Sequence, residues 1–174
     1  DEGREGGEGN DFIRGNEGDD NLHGGEGDDI LHGSKDNDYV NGNQGNDEVY
    51  GDLGNDFVRG GQGNDILEGG VGNDTLNGNK DNDTLTGGLG ADTFLYRIDN
   101  QSDLIMDYNR LEGDSITLHL AGSGLTIDDI TVVQANTGPH SIIQLGAGGS
   151  RGTVTVLNVS DVSKDELNLI GVTD

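Results

Sequence analysis

The sequence predicts an all-β protein in two parts. Residues 1–95 form a parallel β-solenoid of about five 18-residue coils, and residues 96–174 form a β-rich C-terminal cap. Three observations predict this. A nine-residue period runs without a break from Gly6 to Leu95. Each period joins turn-forming residues to a short run with an apolar centre. From Thr93 onward the period gives way to short alternating runs separated by Gly, Pro and acidic breakers.

Composition removes several classes of function. The 174 residues carry 34 Asp and Glu against 9 Lys and Arg, a formal charge of −25. That charge repels nucleic acid and anionic membrane surfaces, so neither is an expected partner. No run of 18 apolar residues exists, so no membrane span is expected. With no Cys there is neither a disulfide scaffold nor a thiolate metal site. No leader pattern follows Asp1, which predicts no signal peptide in this stretch. With 33 Gly and only 29% hydrophobic residues, composition alone would predict disorder. Order must come from the period.

The ten units are GGEGNDFIR, GNEGDDNLH, GGEGDDILH, GSKDNDYVN, GNQGNDEVY, GDLGNDFVR, GGQGNDILE, GGVGNDTLN, GNKDNDTLT and GGLGADTFL. Position one is always Gly. Position six is always Asp: Asp11, Asp20, Asp29, Asp38, Asp47, Asp56, Asp65, Asp74, Asp83 and Asp92. Position eight is always large and apolar, from Ile13, Leu22 and Leu31 through Val40, Val49 and Val58 to Leu67, Leu76, Leu85 and Phe94. Position four is Gly except at Asp36 and Asp81, which sit in two similar units five repeats apart. Residues 1–5 fit the tail of an earlier unit, with Glu2 at the Asp position, so a longer parent protein is expected upstream. Residues 1–95 hold 23 acids and 5 bases, whereas residues 96–174 hold 11 and 4, so the charge is concentrated where the period is.

Gly at positions one and four permits positive φ, and Asn or Asp at position five tolerates it. Six residues of each unit are therefore expected as turn and three as strand. Turn, strand, turn, strand makes one coil, and coils stack at roughly 4.8 Å. The position-eight side chains of two sheets meet in the middle. One apolar side chain per nine residues does not offset the entropy of ordering a Gly-rich unit. Stacked carboxylates add repulsion. A cation between coils would supply the missing cohesion, and carboxylate and carbonyl oxygens suit Ca²⁺, which takes about 6–8 oxygen ligands.

These units resemble the haemolysin-type RTX (repeats-in-toxin) nonapeptide GGxGxDxUx over residues 6–95. The resemblance implies a parallel β-roll in which the ten position-six Asp bind Ca²⁺ together with loop carbonyls. The carbonyls so implied are those of positions two and four: Gly7, Gly9, Gly18, Gly25, Gly27, Gly45, Gly54, Gly61, Gly63, Gly70, Gly72, Gly88 and Gly90. Asn16, Ser34, Asn43, Asp52 and Asn79 depart from Gly at position two, as Asp36 and Asp81 do at position four; the carbonyl survives, with backbone strain expected. Eight pairs of units i and i+2 lead to an expectation of about six to eight ions. Asp19, Asp28 and Glu26 are expected as solvated surface.

The second half offers seven strand-like runs: TFLYRI, DLIMDY, GDSITLHL, DDITVVQA, SIIQLG, GTVTVLNV and ELNLI. A helical turn is expected over 162–168, with Ser163 as N-cap and Glu166 three residues on. This half would cover the open edge of the last coil. GGLGADTFLY…DLIMDY…GDSITL resembles the stretch after the repeats in secreted RTX proteins, and the remainder resembles the piece that carries an uncleaved secretion signal. Asp103 or Asp107 would complete the last ion site.

No catalytic site can be assembled. HExxH is missing, Ser, His and Asp occur as loose residues, and His23, His32, His119 and His140 are expected at the surface. The chain therefore reads as a non-enzymatic module. It would fold on Ca²⁺ after passing a type I secretion channel and support an upstream cargo domain, outside the cell or at its surface. The alternative is a surface- or glycan-binding module of an adhesin, surface-layer protein or polysaccharide-modifying enzyme, which the outward aromatics Tyr39, Tyr50 and Phe57 would serve.

Overall fold

Alternation within each repeat builds the fold. In the run Asn21–Glu26, Leu22 and Gly24 are buried on the inner face while Asn21 and His23 face outward. The same pattern recurs in every unit. The computed structural model describes residues 3–97 and 101–119, and beyond them the strands at 130–134, 141–145, 152–156 and 167–170. The strands of the repeats are β1 (Gly3–Glu8), β2 (Phe12–Asn16), β3 (Asn21–Glu26), β4 (Ile30–Lys35), β5 (Tyr39–Gln44), β6 (Glu48–Leu53), β7 (Phe57–Gln62), β8 (Ile66–Val71), β9 (Thr75–Lys80), β10 (Thr84–Leu89) and β11 (Thr93–Arg97).

Most of these strands are six residues long, twice the expected length, and the turn shrinks to positions four to six. The ladder does not stop at position nine. It continues through positions one to three, as in the partners Gly7↔Gly25 and Glu8↔Glu26.

Odd strands pair in parallel in one sheet and even strands in the other, each residue opposite the one 18 further on. The position-eight side chains from Leu22 to Leu76 have no exposed surface and form one continuous core between the sheets. The sequence also leads to a coil count of about five, and here the structure differs. Parallel stacking runs on past Leu95 into β12 (Gln101–Ile105) and β13 (Ser115–His119), making about six coils. Ile105 and Ile116, 2% and 1% exposed, pair beside Leu85 and Phe94 and extend the core. Longer loops absorb the extra residues, so the offset grows to 20 and then 22.

The four remaining strands are β14 (Ile130–Gln134), β15 (Ser141–Leu145), β16 (Gly152–Val156) and β17 (Leu167–Ile170). β17 adds in parallel to β13, and β16 in parallel to β12; β15 and β14 continue that sheet antiparallel. All seven runs read from the second half contain a strand. Of the expected helical turn, Leu167 and Asn168 lie in β17, and the rest falls outside the described residues, as do Glu2 and His140. At the other end, Arg4 stands in the core column beside Leu22 and its guanidinium donates to the Arg14 carbonyl. No described helix is long and apolar enough to cross a membrane.

Candidate metal centre

The turns form because every residue at positions two and four has positive φ. Among the Gly this holds from Gly7 and Gly9 to Gly88 and Gly90. The seven departures take the same conformation, with φ from 73° at Asp36 to 92° at Ser34. Six of them are Asn or Asp, which tolerate it. Asp36 and Asp81 also recover a bond that Gly cannot make: their carboxylates accept from the N–H of Gly18 and Gly63.

Position one is Gly for a different reason. It does not have positive φ. A Cβ on Gly6 would lie 2.5 Å from both Asp11 Oδ2 and the Gly24 carbonyl; on Gly51 it would lie 2.6 Å from Asp56 Oδ2 and 2.5 Å from the Gly69 carbonyl. The missing side chain leaves room for a carboxylate oxygen and a carbonyl oxygen to converge from adjacent coils.

The position-six Asp form a ladder along each edge of the roll. Each backbone N–H donates to Oδ1 of the Asp one coil on, at 2.7–2.9 Å: Asp11 to Asp29, Asp20 to Asp38, and so to Asp74 to Asp92. The carbonyls of the same residues accept from the next coil, as Asp11 does from Ile30. The second carboxylate oxygen, Oδ2, is buried in all ten and has no hydrogen-bond partner among the described residues. A buried unpaired carboxylate oxygen is costly. Burial pushes the carboxyls of Asp38, Asp47 and Asp92 up to about 6, those of Asp56 and Asp65 to about 7 and that of Asp83 to about 8. The ladder N–H bonds oppose this shift, and neighbouring carboxylates add to it.

These residues fit a hard cation. Ten unpaired anionic oxygens face cradles in which a Cβ would clash, with carbonyl oxygens beside them. No three His, Asp or Glu side chains converge among the described residues, so carboxylates alone would not fill a coordination sphere. Carbonyls would complete it, which suits Ca²⁺. The carbonyls of positions two and four also stack on the next coil: a Cβ on Gly27 would lie 2.6 Å from the Gly9 carbonyl.

Two features escaped the sequence reading. One is the position-one carbonyl, for which the unbroken Gly column was the signal. The other is Asp114, which continues the ladder through the bond from Asp92 N–H at 3.0 Å, as Asp103 does from Asp83 N–H at 3.1 Å. The signal was Asp-x-apolar, present as Asp103-Leu104-Ile105 and Asp114-Ser115-Ile116. Asp107 takes another role: its two oxygens accept from the N–H groups of Gly87 and Gly88.

Position five makes its own outer ladder. The side-chain oxygen of Asn10 accepts from Asp28 N–H, that of Asp28 from Asn46, and that of Asp19 from Asn37. Asp19 and Asp28 are exposed, and so is Glu26. His23 and His32 lie on opposite sheets; His32 stacks on Tyr50 and its Nδ1 is 2.9 Å from Asp52 Oδ2.

A family model described as the RTX calcium-binding nonapeptide repeat (4 copies) matches residues 5–40, 23–58, 32–67 and 59–94, together just over half the chain. Among solved structures, the chain is similar to the extracellular lipase LipA from Serratia marcescens at 17% identity and a TM-score of 0.38, covering 89% of this chain and 40% of that one. It is also similar to the AlgE6R3 subunit of the Azotobacter vinelandii mannuronan C5-epimerase at 25% identity and a TM-score of 0.42, covering 83% and 79%. The AlgE6R2 subunit of the same enzyme matches at 23% identity and a TM-score of 0.40, covering 80% and 86%. The chain thus spans less than half the length of the lipase. No curated protein matches it.

Proposed function

The chain belongs to the RTX calcium-binding nonapeptide repeat family, and from that premise we propose that it is a module that folds on binding Ca²⁺ outside the cell. One observation carries the reading: a buried Oδ2 without a partner on every position-six Asp from Asp11 to Asp92. In each gap the carboxylates of two stacked Asp would hold the ion, with carbonyls of positions one, two and four. Bound Ca²⁺ supplies positive charge where folding would otherwise bury like charges against one another. Eight gaps within the repeats correspond to about six to eight ions. The pairs Asp83–Asp103 and Asp92–Asp114 add two gaps, so the functional unit extends to His119 rather than stopping at Leu95.

The rest of the proposal concerns the parent protein. A highly acidic chain without Cys stays unfolded where Ca²⁺ is scarce, which suits passage through a type I channel. Ca²⁺ outside then folds it, opposes backsliding and supports folding of an upstream cargo domain. The module is a binding and folding device rather than a catalyst, and its site of action is extracellular or at the cell surface.

Circular dichroism during a Ca²⁺ titration tests this. The β-signal is expected to appear cooperatively with Ca²⁺ and to vanish in excess chelator. Full β-structure in chelator would refute the reading. Metal analysis after equilibrium dialysis gives the ion count.

A further inference from the structure

In units four and eight the residue at position nine is Asn, and the next unit opens with Gly. This makes Asn41-Gly42 and Asn77-Gly78, the two Asn-Gly pairs of the chain. Neither Gly is exchangeable for a larger residue. A Cβ on Gly42 would run into Asp47 Oδ2, and one on Gly78 into Asp83 Oδ2. The Asp ladder thus fixes, beside each Asn, the residue whose backbone nitrogen is least hindered in attacking the Asn side chain.

The folded roll holds both pairs out of reaction. Asn41 lies inside β5, in register with His23 and Arg59, and Asn77 lies inside β9, in register with Arg59. Ring closure needs the Gly nitrogen to eclipse the Asn Cβ, a ψ that an extended strand does not have. Gly42 and Gly78 are buried, and Asn41 is only 5% exposed. In both units a second Asn, at position two, ties down the first. Asn41 Nδ2 donates to Asn43 Oδ1 at 2.7 Å, and Asn79 Nδ2 donates to the Asn77 carbonyl at 3.3 Å.

We propose that Asn41 and Asn77 are sites of spontaneous deamidation, open while the chain lacks Ca²⁺ and closed once the roll forms; this rests on the ion-dependent folding proposed above. The Gly42 nitrogen bonds to Asn41 Cγ, the Cγ–Nδ2 bond breaks, and Nδ2 leaves as ammonia with the Gly42 amide proton. Water then opens the cyclic imide. Opening at Cγ leaves aspartate. Opening at the backbone carbonyl carbon leaves isoaspartate, whose main chain runs through the side chain and is one methylene longer. Gly78 acts on Asn77 in the same way. The two products fold differently. Aspartate at position 41 keeps the register and stands opposite Arg59, whose Nε has no partner among the described residues. Isoaspartate puts the rest of β5 out of step with its neighbours. It displaces the Gly42 carbonyl, which sits 2.6 Å from where a Cβ of Gly24 would lie, beside Asp29 Oδ2. Time spent unfolded is thereby recorded in the chain as lost ion sites.

The full chain is held at neutral pH in excess Ca²⁺, in chelator, and in chelator with urea, while peptide mapping by mass spectrometry follows each Asn. Asn41 and Asn77 are expected to react at least about tenfold faster in chelator than in Ca²⁺. They should also react before every other Asn. Asn41→Gln should silence the first site and leave the second unchanged. Equal rates with and without Ca²⁺, another Asn reacting first, or no reaction at these two in urea would each overturn the inference. Ca²⁺ is then restored to the aged samples. The recovered β-signal is expected to fall as isoaspartate rises, while Asn41→Asp recovers fully; full recovery of isoaspartate-rich chain would overturn the backbone argument. Dichroism of the unaged samples reports on folding alone. Full β-structure in chelator removes the folding reading, and the urea arm against Ca²⁺ then decides whether the roll protects these Asn. Ca²⁺-dependent folding with Ca²⁺-independent deamidation removes only the present inference.

Discussion

At the scale of the residue, the position-one Gly and the position-six Asp are two halves of one device. The Asp spends Oδ1 on the next coil's N–H and keeps Oδ2 free, while the Gly leaves the space Oδ2 points into. Gly51→Ala would drive a Cβ into Asp56 Oδ2 and the Gly69 carbonyl, so it is expected to cost at least about 2 kcal/mol and raise the Ca²⁺ needed for half-folding. Gly3→Ala, with nothing within 4 Å of its Cβ, is the control and should fall within about 0.5 kcal/mol of the parent. Equal effects in Ca²⁺-dependent melts would remove the space argument. The ladder also ranks the Asp. Asp56 takes part in two gaps, with Asp38 and with Asp74, whereas Asp11 begins the described ladder and shares one with Asp29. Asp56→Ala should therefore lower titration cooperativity more than Asp11→Ala does. Asp92, the last Asp of the regular period, is followed in its column by Asp114.

Burial of these carboxyls sets a pH dependence. Burial keeps the carboxyls of Asp38, Asp56 and Asp83 protonated up to about 6, about 7 and about 8, well above the usual aspartate range. Folding without ions therefore takes up protons. The ion-free roll has its full stability below about pH 4 and loses it as the pH rises through 6 to 8. Ca²⁺ competes with those protons, so its affinity should climb over the same window. Circular dichroism of the chelated protein at pH 4, 6 and 8 checks this: any residual β-signal should be greatest at pH 4, and a β-signal that rises with pH would contradict it.

At the scale of the element, strand length and coil number differ from what the repeats alone suggest. Six-residue strands arise because Gly at position two can take positive φ and still carry the parallel ladder forward, as at Gly25 and Gly61. Only positions four to six leave the sheet. The coil beyond Leu95 holds because Ile105 and Ile116 keep the core column and Asp103 and Asp114 keep the Asp column, although their loops are longer. Asp107 fastens this irregular coil by accepting from two adjacent N–H groups, of Gly87 and Gly88. Asp107→Ala would leave both donors unpaired, at a cost of about 1–3 kcal/mol each where they stay out of water. Thermal melts in Ca²⁺ measure it, and a change below the noise of the melt would show that water replaces the carboxylate.

At the scale of the molecule, the roll is a one-dimensional stack in which each coil touches only its neighbours, so stability depends on every gap being filled. Mg²⁺ demands a tighter octahedral shell and keeps its water, so carbonyl-lined gaps should reject it. Replacing Ca²⁺ by an equal concentration of Mg²⁺ is expected to leave the chain largely unfolded by circular dichroism; folding of equal extent would argue for charge neutralisation without coordination.

The sequence by itself determined the all-β class, the 18-residue coil, the register and the core column. Each of these repeats the same local chemistry at a fixed period, and one unit states what all the others do. Tertiary structure decided the rest. It showed position-one Gly as a matter of space, because the atoms that would clash belong partly to a residue 18 positions away. It showed the coil that survives offsets of 20 and 22, because stacking tolerates a longer loop wherever the inward side chain and the Asp return in phase. And it brought Arg59, Lys80, Arg97 and His119 to line one groove of the odd-strand sheet, since those residues come from different positions of different coils and share a surface only once the coils pile up.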